Sequence, residues 1–138
     1  MDSVTITLPL PDPRLGPNKP AATRGSMLAK ARLTKAYRRS AYFRTLEAMP
    51  TVFDTPWPRA KATLDFYFND SRRRDIRNLE AAMKAAYDGI VEAGLITDDR
   101  HEVLSHGMTE VHKSGTDGPR VEITIERVDD ENKDIPTR

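Results

Sequence analysis

Hydrophobic and polar residues alternate in several segments of the chain with the two-residue period of a β-strand. The alternation is strict in residues 4–8 and 120–128, and it extends with one mixed face over Ala60–Phe68. Because successive side chains of a strand point to opposite faces, each segment predicts a strand with one apolar face. A further strand is predicted over residues 102–113, interrupted or bulged near Gly107.

Two other segments carry apolar residues three or four positions apart, which predicts helices that are apolar on one side. The first spans residues 27–49 with Ser26 as its N-cap, and the second spans residues 76–93 with Asp75 as its N-cap. Gly94 is suited to end the second helix, because glycine adopts the left-handed conformation at little cost.

The predicted elements follow the order β-α-β-α-β-β, with residues 114–119 as a hairpin-type loop between the last two strands. This order predicts an α/β fold of the α+β type, in which a small mixed sheet packs against two helices. Residues 1–128 would form one domain. The polar residues 129–138 would form a disordered C-terminal tail.

The composition predicts a globular protein of the cytoplasm. With 38% apolar and 31% charged residues among 138, the chain has a globular balance and enough residues for one core. It has no run of 18 apolar residues and no charged-then-apolar signal pattern, so we expect neither a membrane span nor secretion. The absence of cysteine excludes disulfides and fits a cytoplasmic protein.

The net charge of +1 conceals a basic block. Residues 13–46 contain no acidic residue and these basic ones: Arg14, Lys19, Arg24, Lys30, Arg32, Lys35, Arg38, Arg39 and Arg44. Such a block is a candidate contact surface for a phosphate backbone. It is equally typical of a solvated helix face, and charge alone does not decide between the two.

Residues 72–99 hold the candidate chemistry. An arginine cluster meets Asp75 at one end, Lys84 lies inside the predicted helix, and Asp98 and Asp99 follow its end. Hydrolysis of a phosphodiester needs a metal ion to activate water and cations to hold the phosphate, and carboxylates beside basic residues suit both needs. Each residue also has a structural interpretation, as a helix cap, a solvated lysine or a turn.

A straight helix over residues 76–93 would hold Asp75 and Asp99 apart, because its 18 residues would be about 27 Å long. Both aspartates would reach one ion only by one of two routes. Either the chain returns along the sheet after the helix, or two chains meet across a dimer. The sequence leaves both routes open.

Several motifs carry a resemblance to a known family. They are the segment RRRDIRNL at residues 72–79, Asp88-Gly89, the segment AGLITDD at residues 93–99, and the opening Ile6-Thr7-Leu8-Pro9 before an Asn18-containing loop. In these motifs and in the closing pair of strands the chain resembles the RusA-type Holliday junction resolvases, found largely in phages and prophages. The resemblance covers nearly the whole chain to about Val128.

The resemblance implies an intertwined homodimer that resolves four-way DNA junctions in recombination and repair. It implies paired nicks made with Mg²⁺, for which Mn²⁺ is a possible substitute, in the cytoplasm of a bacterial host. No small-molecule cofactor and no membrane partner are expected. The implied catalytic residues are Asp75, Lys84 and Asp99. The candidate metal ligands are Asp75, Asp98, Asp99 and Glu80. The candidate DNA contacts are Arg72, Arg73, Arg74, Arg77, Lys19, Arg24, Lys30 and Tyr87.

Arg77 departs from the family pattern, which has a metal-binding aspartate at this position. A guanidinium does not ligate magnesium and is not deprotonated in proteins, so it would repel the ion. Three interpretations remain open. Glu80, one turn further along the helix, replaces the missing carboxylate; or the protein binds junctions without cutting them; or Arg77 is an incidental or engineered change in an active resolvase.

Two further alternatives concern the substrate and a histidine near the site. A metal-dependent nuclease could instead act on other structured nucleic acids, such as flaps or RNA. His101 lies close to Asp99 in sequence and could touch the site, although a surface position is the simpler expectation. The spacing of the three histidines is not that of a zinc motif.

Overall fold

A five-stranded mixed sheet forms the centre of the protein. The structure, a computed structural model, describes residues 2–17, 22–50 and 54–129. Its strands are β1 (Ser3–Leu8), β2 (Ala60–Phe68), β3 (Leu104–His106), β4 (Glu110–Lys113) and β5 (Arg120–Arg127). Its helices are α1 (Arg24–Ala48), α2 (Ile76–Ala81) and α3 (Lys84–Ala93), and a short 3₁₀ turn spans Pro13–Leu15. The predicted α+β class with a mixed sheet is therefore confirmed.

The strands lie in the order β1, β5, β2, with β3 and β4 following each other along the free edge of β2. β5 runs antiparallel to both of its neighbours, whereas β3 and β4 run parallel to β2. Apolar residues of β1, β2 and β5 alternate inward as predicted, and they form one core with side chains of α1 and α3. The helices therefore cover one face of the sheet, and the polar positions of the strands line the other.

The predicted hairpin is wrong. β4 and β5 do not pair with each other, because β2 lies between them and pairs with both. The loop of residues 114–119 therefore crosses from one side of β2 to the other. Its glycines and proline correctly indicate a chain reversal, but they do not determine which strand occupies the gap. The interruption near Gly107 is confirmed, since β3 and β4 are separate strands on either side of it.

The N-terminus of α1 corrects a second expectation. The N-cap is Thr23 rather than Ser26, and the helix begins at Arg24. The backbone N–H of Ser26 donates to Thr23 Oγ1 at 3.1 Å, and the backbone N–H of Thr23 donates to Ser26 Oγ at 3.0 Å. This reciprocal pair is a capping box, so Ser26 supplies its third helical position instead of the cap.

The single long helix predicted over residues 76–93 is two helices. Asp75 caps α2 as predicted, and its side chain accepts from the backbone N–H of Arg77 at 2.9 Å. α2 ends before Ala82, and α3 begins at Lys84. Met83 between them is fully buried, and its sulfur lies 3.7 Å from the Tyr37 hydroxyl. At the junction the backbone N–H of Met83 donates to Glu80 O at 3.1 Å, and Met83 itself has a φ of −91° and a ψ of 1°, outside the helical range.

The remaining expectations on the fold concern the core and the termini. Trp57 is fully buried in the core. Among the described helices, none is long and apolar enough to cross a membrane. Of the predicted tail, only Asp129 belongs to the described residues.

Candidate functional site

A cavity of about 650 Å³ opens between β2, the two short helices and the loop that follows α3. We call it the Lys84 cavity. Ala62 and Leu64 of β2 line it together with polar side chains of the helices and loops. The groups in its wall that carry chemistry are Glu80, Lys84, Tyr87, Asp99, Arg100 and His106.

Lys84, which lines this cavity, pairs with two carboxylates. Its Nζ donates to Asp99 Oδ2 at 2.7 Å and to Asp88 Oδ1 at 2.9 Å. Lys84 is the first residue of α3 and Asp88 lies one turn further on, so the second pair is a local i,i+4 pair. The pair with Asp99 instead joins two segments that the fold brings together.

The chain after α3 returns along the sheet and thereby delivers Asp99. Gly94 ends the helix with a φ of 90°, a left-handed conformation that favours glycine. The backbone N–H of Trp57 then donates to Leu95 O at 2.8 Å, and the N–H of Thr97 donates to Trp57 O at 3.2 Å. This pairing with the segment before β2 directs Asp99 to the start of α3, where it meets Lys84. The chain does return along the sheet after the helix, but it brings Asp99 to Lys84 and not to Asp75, so within one chain this return does not give the two aspartates a common ion.

The two partners shift each other's titration. Burial alone would raise the pKa of Asp99, but the hydrogen bond and charge of Lys84 lower it, and the net pKa lies below its ordinary value. The hydrogen bonds to Asp99 and then to Asp88 raise the pKa of Lys84. Both groups are therefore charged at neutral pH. Because the folded pKa of Asp99 is depressed, its contribution to stability is present above its unfolded pKa and is lost as pH falls through the folded value.

Removal of the ammonium is expected to reverse the shift of Asp99. In Lys84→Met, burial would act without opposition, so the pKa of Asp99 should rise above that in the native chain. A carbon-13 NMR titration of the Asp99 carboxyl measures this directly. An unchanged pKa would mean that Lys84 does not contact Asp99 in solution.

Glu80 shares the Lys84 cavity with Asp99. Its Oε2 accepts from Thr109 Oγ1 at 2.5 Å, which ties α2 to the end of the interruption between β3 and β4. Asp98 has a different role. Its Oδ1 accepts from the backbone N–H of Asp99 at 2.8 Å, and its Oδ2 pairs with Arg100 at 3.2 Å. The structure therefore brings Glu80, Lys84 and Asp99 together and uses Asp98 to shape the turn.

Asp75 lies in a different place from Asp99. It lines a separate cavity of about 260 Å³ with Arg72, Arg74 and residues of the proline-rich segment after β1. Asn78 and Leu79 of α2 face this second cavity, whereas Glu80 faces the first. Within one chain, the predicted metal ligands are therefore not assembled at a single point.

The candidate DNA contacts differ in availability. Arg24, Arg72, Arg73 and Arg77 are exposed, and Lys30 is half-buried. The side chain of Arg74 is only 14% exposed, because it pairs with Asp70 at 2.8 Å and stacks on Phe68 at 3.6 Å. Tyr87 is 6% exposed in the cavity wall, so any contact it makes is confined to the cavity. Lys19 lies outside the described residues.

A second group of side chains was not predicted. In the described part of the chain, the His and acidic residues close enough to hold a metal ion are Asp65, Glu110 and His112, whose ligand atoms lie within 4.8 Å of one another. They meet because β4 pairs in parallel with β2, and no local sequence signal indicates that pairing. His101 is exposed and lies 3.6 Å from Glu102, while His106 contributes to the Lys84 cavity.

Comparisons with known proteins do not assign the chain to a family. A scan against protein-family models found no match, and a search of curated proteins found no significant match.

Proposed function

We propose that this protein is a metal-dependent endodeoxyribonuclease that resolves four-way DNA junctions, as its resemblance to the RusA-type resolvases implies. The observation that carries the proposal is that Lys84 pairs with Asp99 in the wall of a cavity that Glu80 also lines. A cation held between carboxylates at an open cavity suits the anionic transition state of phosphodiester hydrolysis. The proposed setting is the cytoplasm of a bacterial host, with the protein acting as a homodimer.

The Lys84 cavity offers magnesium a smaller set of ligands than the sequence predicts. Mg²⁺ is usually held by one or two carboxylates while it keeps several waters, and Glu80 and Asp99 offer two carboxylates in one cavity. Bound there, the ion would supply an activated water and Lewis acidity, and Mn²⁺ would be a substitute. Asp75, in its separate cavity, would join the same site only from a second chain of the proposed dimer.

The chain's own residues have separate proposed roles. Lys84 would neutralise charge on the scissile phosphate, and its contact with Asp99 would fix the position of the ammonium. Arg72, which lines the separate cavity with Asp75, and Arg73 are both exposed and would hold the DNA backbone. Contacts of this kind respond to shape and phosphate position rather than to base sequence, which suits a branched substrate.

A second candidate function is junction binding without cleavage, and Arg77 favours it. Its side chain is exposed, and no ion pair neutralises its guanidinium among the described residues. Asp75, two residues earlier, already uses its carboxylate to cap α2. The unpaired guanidinium of Arg77 would weaken the binding of a metal ion at Asp75 and would strengthen the binding of phosphate.

Cleavage of a synthetic four-way junction with Mg²⁺ or Mn²⁺ separates the two functions. The comparison uses the native chain, Arg77→Asp and Asp75→Asn. Asparagine also caps helices well, so Asp75→Asn removes the charge with little loss of the cap. We expect paired nicks from the native chain and their loss in Asp75→Asn. Cleavage that appears only in Arg77→Asp would establish the binding function instead. If none of the three proteins binds or cleaves the junction, both functions are contradicted.

A further inference from the structure

The open face of the sheet carries an unusual row of acidic residues. Asp65 in the middle of β2 lies directly opposite Glu110 on β4 and directly opposite Glu122 on β5. Like charges at directly opposed positions destabilise a sheet. Glu122 is compensated by Arg120, whose Nε donates to it at 2.8 Å. Asp65 and Glu110 share a different neighbour, the imidazole of His112.

His112 closes this pair into a set of three ligands. Its Nε2 lies 2.8 Å from Asp65 Oδ1 and 3.7 Å from Glu110 Oε1. Ligand atoms that each lie about 2.1 Å from a zinc ion are at most about 4.2 Å apart. Both separations from His112 fall inside this limit, and all three ligand atoms lie within 4.8 Å of one another, so small side-chain movements would bring them to coordination distance of one ion.

The neighbouring side chains hold the imidazole in place. The ring of His112 stacks on that of Tyr67 with 4.7 Å between the centroids. The guanidinium of Arg120 lies 3.9 Å from the centroid of the Tyr67 ring. All three ligands stand on paired strands, so the sheet register fixes their spacing. Their side chains are 26–57% exposed, which leaves the group open to an ion from solvent.

We propose that Asp65, Glu110 and His112 bind one divalent transition-metal ion of the zinc class. An imidazole nitrogen with carboxylates suits Zn²⁺ and its neighbours, whereas Mg²⁺ prefers oxygen ligands alone. Three protein ligands leave a position open for water, as in catalytic rather than structural zinc sites. Asp65 and Leu64 point to opposite faces of β2, so this site and the Lys84 cavity lie on different sides of the sheet.

Zinc binding to the full chain tests the site without reference to DNA cleavage. Isothermal titration with Zn²⁺ in excess Mg²⁺ is expected to give one equivalent per chain for the native protein. His112→Asn and Asp65→Asn should each weaken binding at least about tenfold, since each removes a ligand. His101→Asn is the matched control, because it removes an exposed histidine outside the group, and its affinity should equal that of the native chain.

Two results would overturn the proposal. One is the absence of one-equivalent zinc binding by the native chain. The other is native affinity in the ligand variants. Glu110→Gln keeps the test decisive if a β2 variant fails to fold, because the Glu110 side chain is 57% exposed and its replacement leaves the core intact.

Discussion

Replacement of Asp99 by asparagine is expected to lower the rate of junction cleavage on the order of 100-fold, as loss of one key transition-state contact does in other enzymes. Asparagine keeps the shape of the side chain but removes the charge that holds Lys84 and that would face the metal ion. Loss of a negative charge beside the DNA should not weaken binding. The measurement is single-turnover cleavage of a labelled junction, with a gel-shift assay of affinity alongside.

Asp88→Asn is the matched control for this prediction. Asp88 also pairs with Lys84, at 2.9 Å, but it does not line the Lys84 cavity. Its replacement should change the cleavage rate by less than about tenfold, since an exposed i,i+4 pair contributes little. Equal losses in the two variants would mean that Asp99 acts only through the charge of Lys84. A fully active Asp99→Asn would remove Asp99 from the site.

The largest expected effect on stability comes from Gly89→Ala, in α3 where it crosses α1. A Cβ at this position would lie 2.2 Å from Arg38 O and 2.9 Å from both Ala41 Cβ and Tyr42 N. Backbone atoms cannot move aside as a flexible side chain can, so the helices must separate. We expect the free energy of unfolding to fall by about 3 kcal/mol, the upper part of the range for overpacked cores. Urea denaturation measures it.

Gly25→Ala provides the control within a helix. A Cβ at Gly25, near the start of α1, would meet only Thr23 Oγ1 at 4.0 Å. Alanine is the better helix former by about 1 kcal/mol, so this variant should be neutral or slightly more stable. A similar gain in Gly89→Ala would show that α1 and α3 do not pack as closely as the structure has them.

The sequence predicts local elements well where one physical rule acts alone. β1, β2 and β5 alternate because one face of the sheet is buried, and this pattern is visible in the residues themselves. The order of the strands is not, because alternation tells which face is buried but not which strand is the neighbour. For that reason the placement of β2 between β4 and β5 was missed.

Part of the candidate site can likewise be predicted from the sequence, and part of it cannot. Lys84 and Asp99 follow from motifs and meet as a pair, because the turn at Gly94 and the pairing with Trp57 bring the chain back. The break at Met83 is not visible in the sequence, because methionine and the alanines before it are good helix formers. His112 joins Asp65 only through long-range strand pairing, 47 residues apart in sequence.

Nick mapping on a four-way junction tests most directly whether this chain cuts branched DNA. Each of the four strands is labelled in turn, and a linear duplex of the same sequence is cleaved in parallel, with Mg²⁺ or with a chelator. We expect two nicks placed symmetrically on opposing strands near the branch, with the metal only and on the junction only. Equal cleavage of the duplex, or an intact junction in the presence of metal, would contradict the claim.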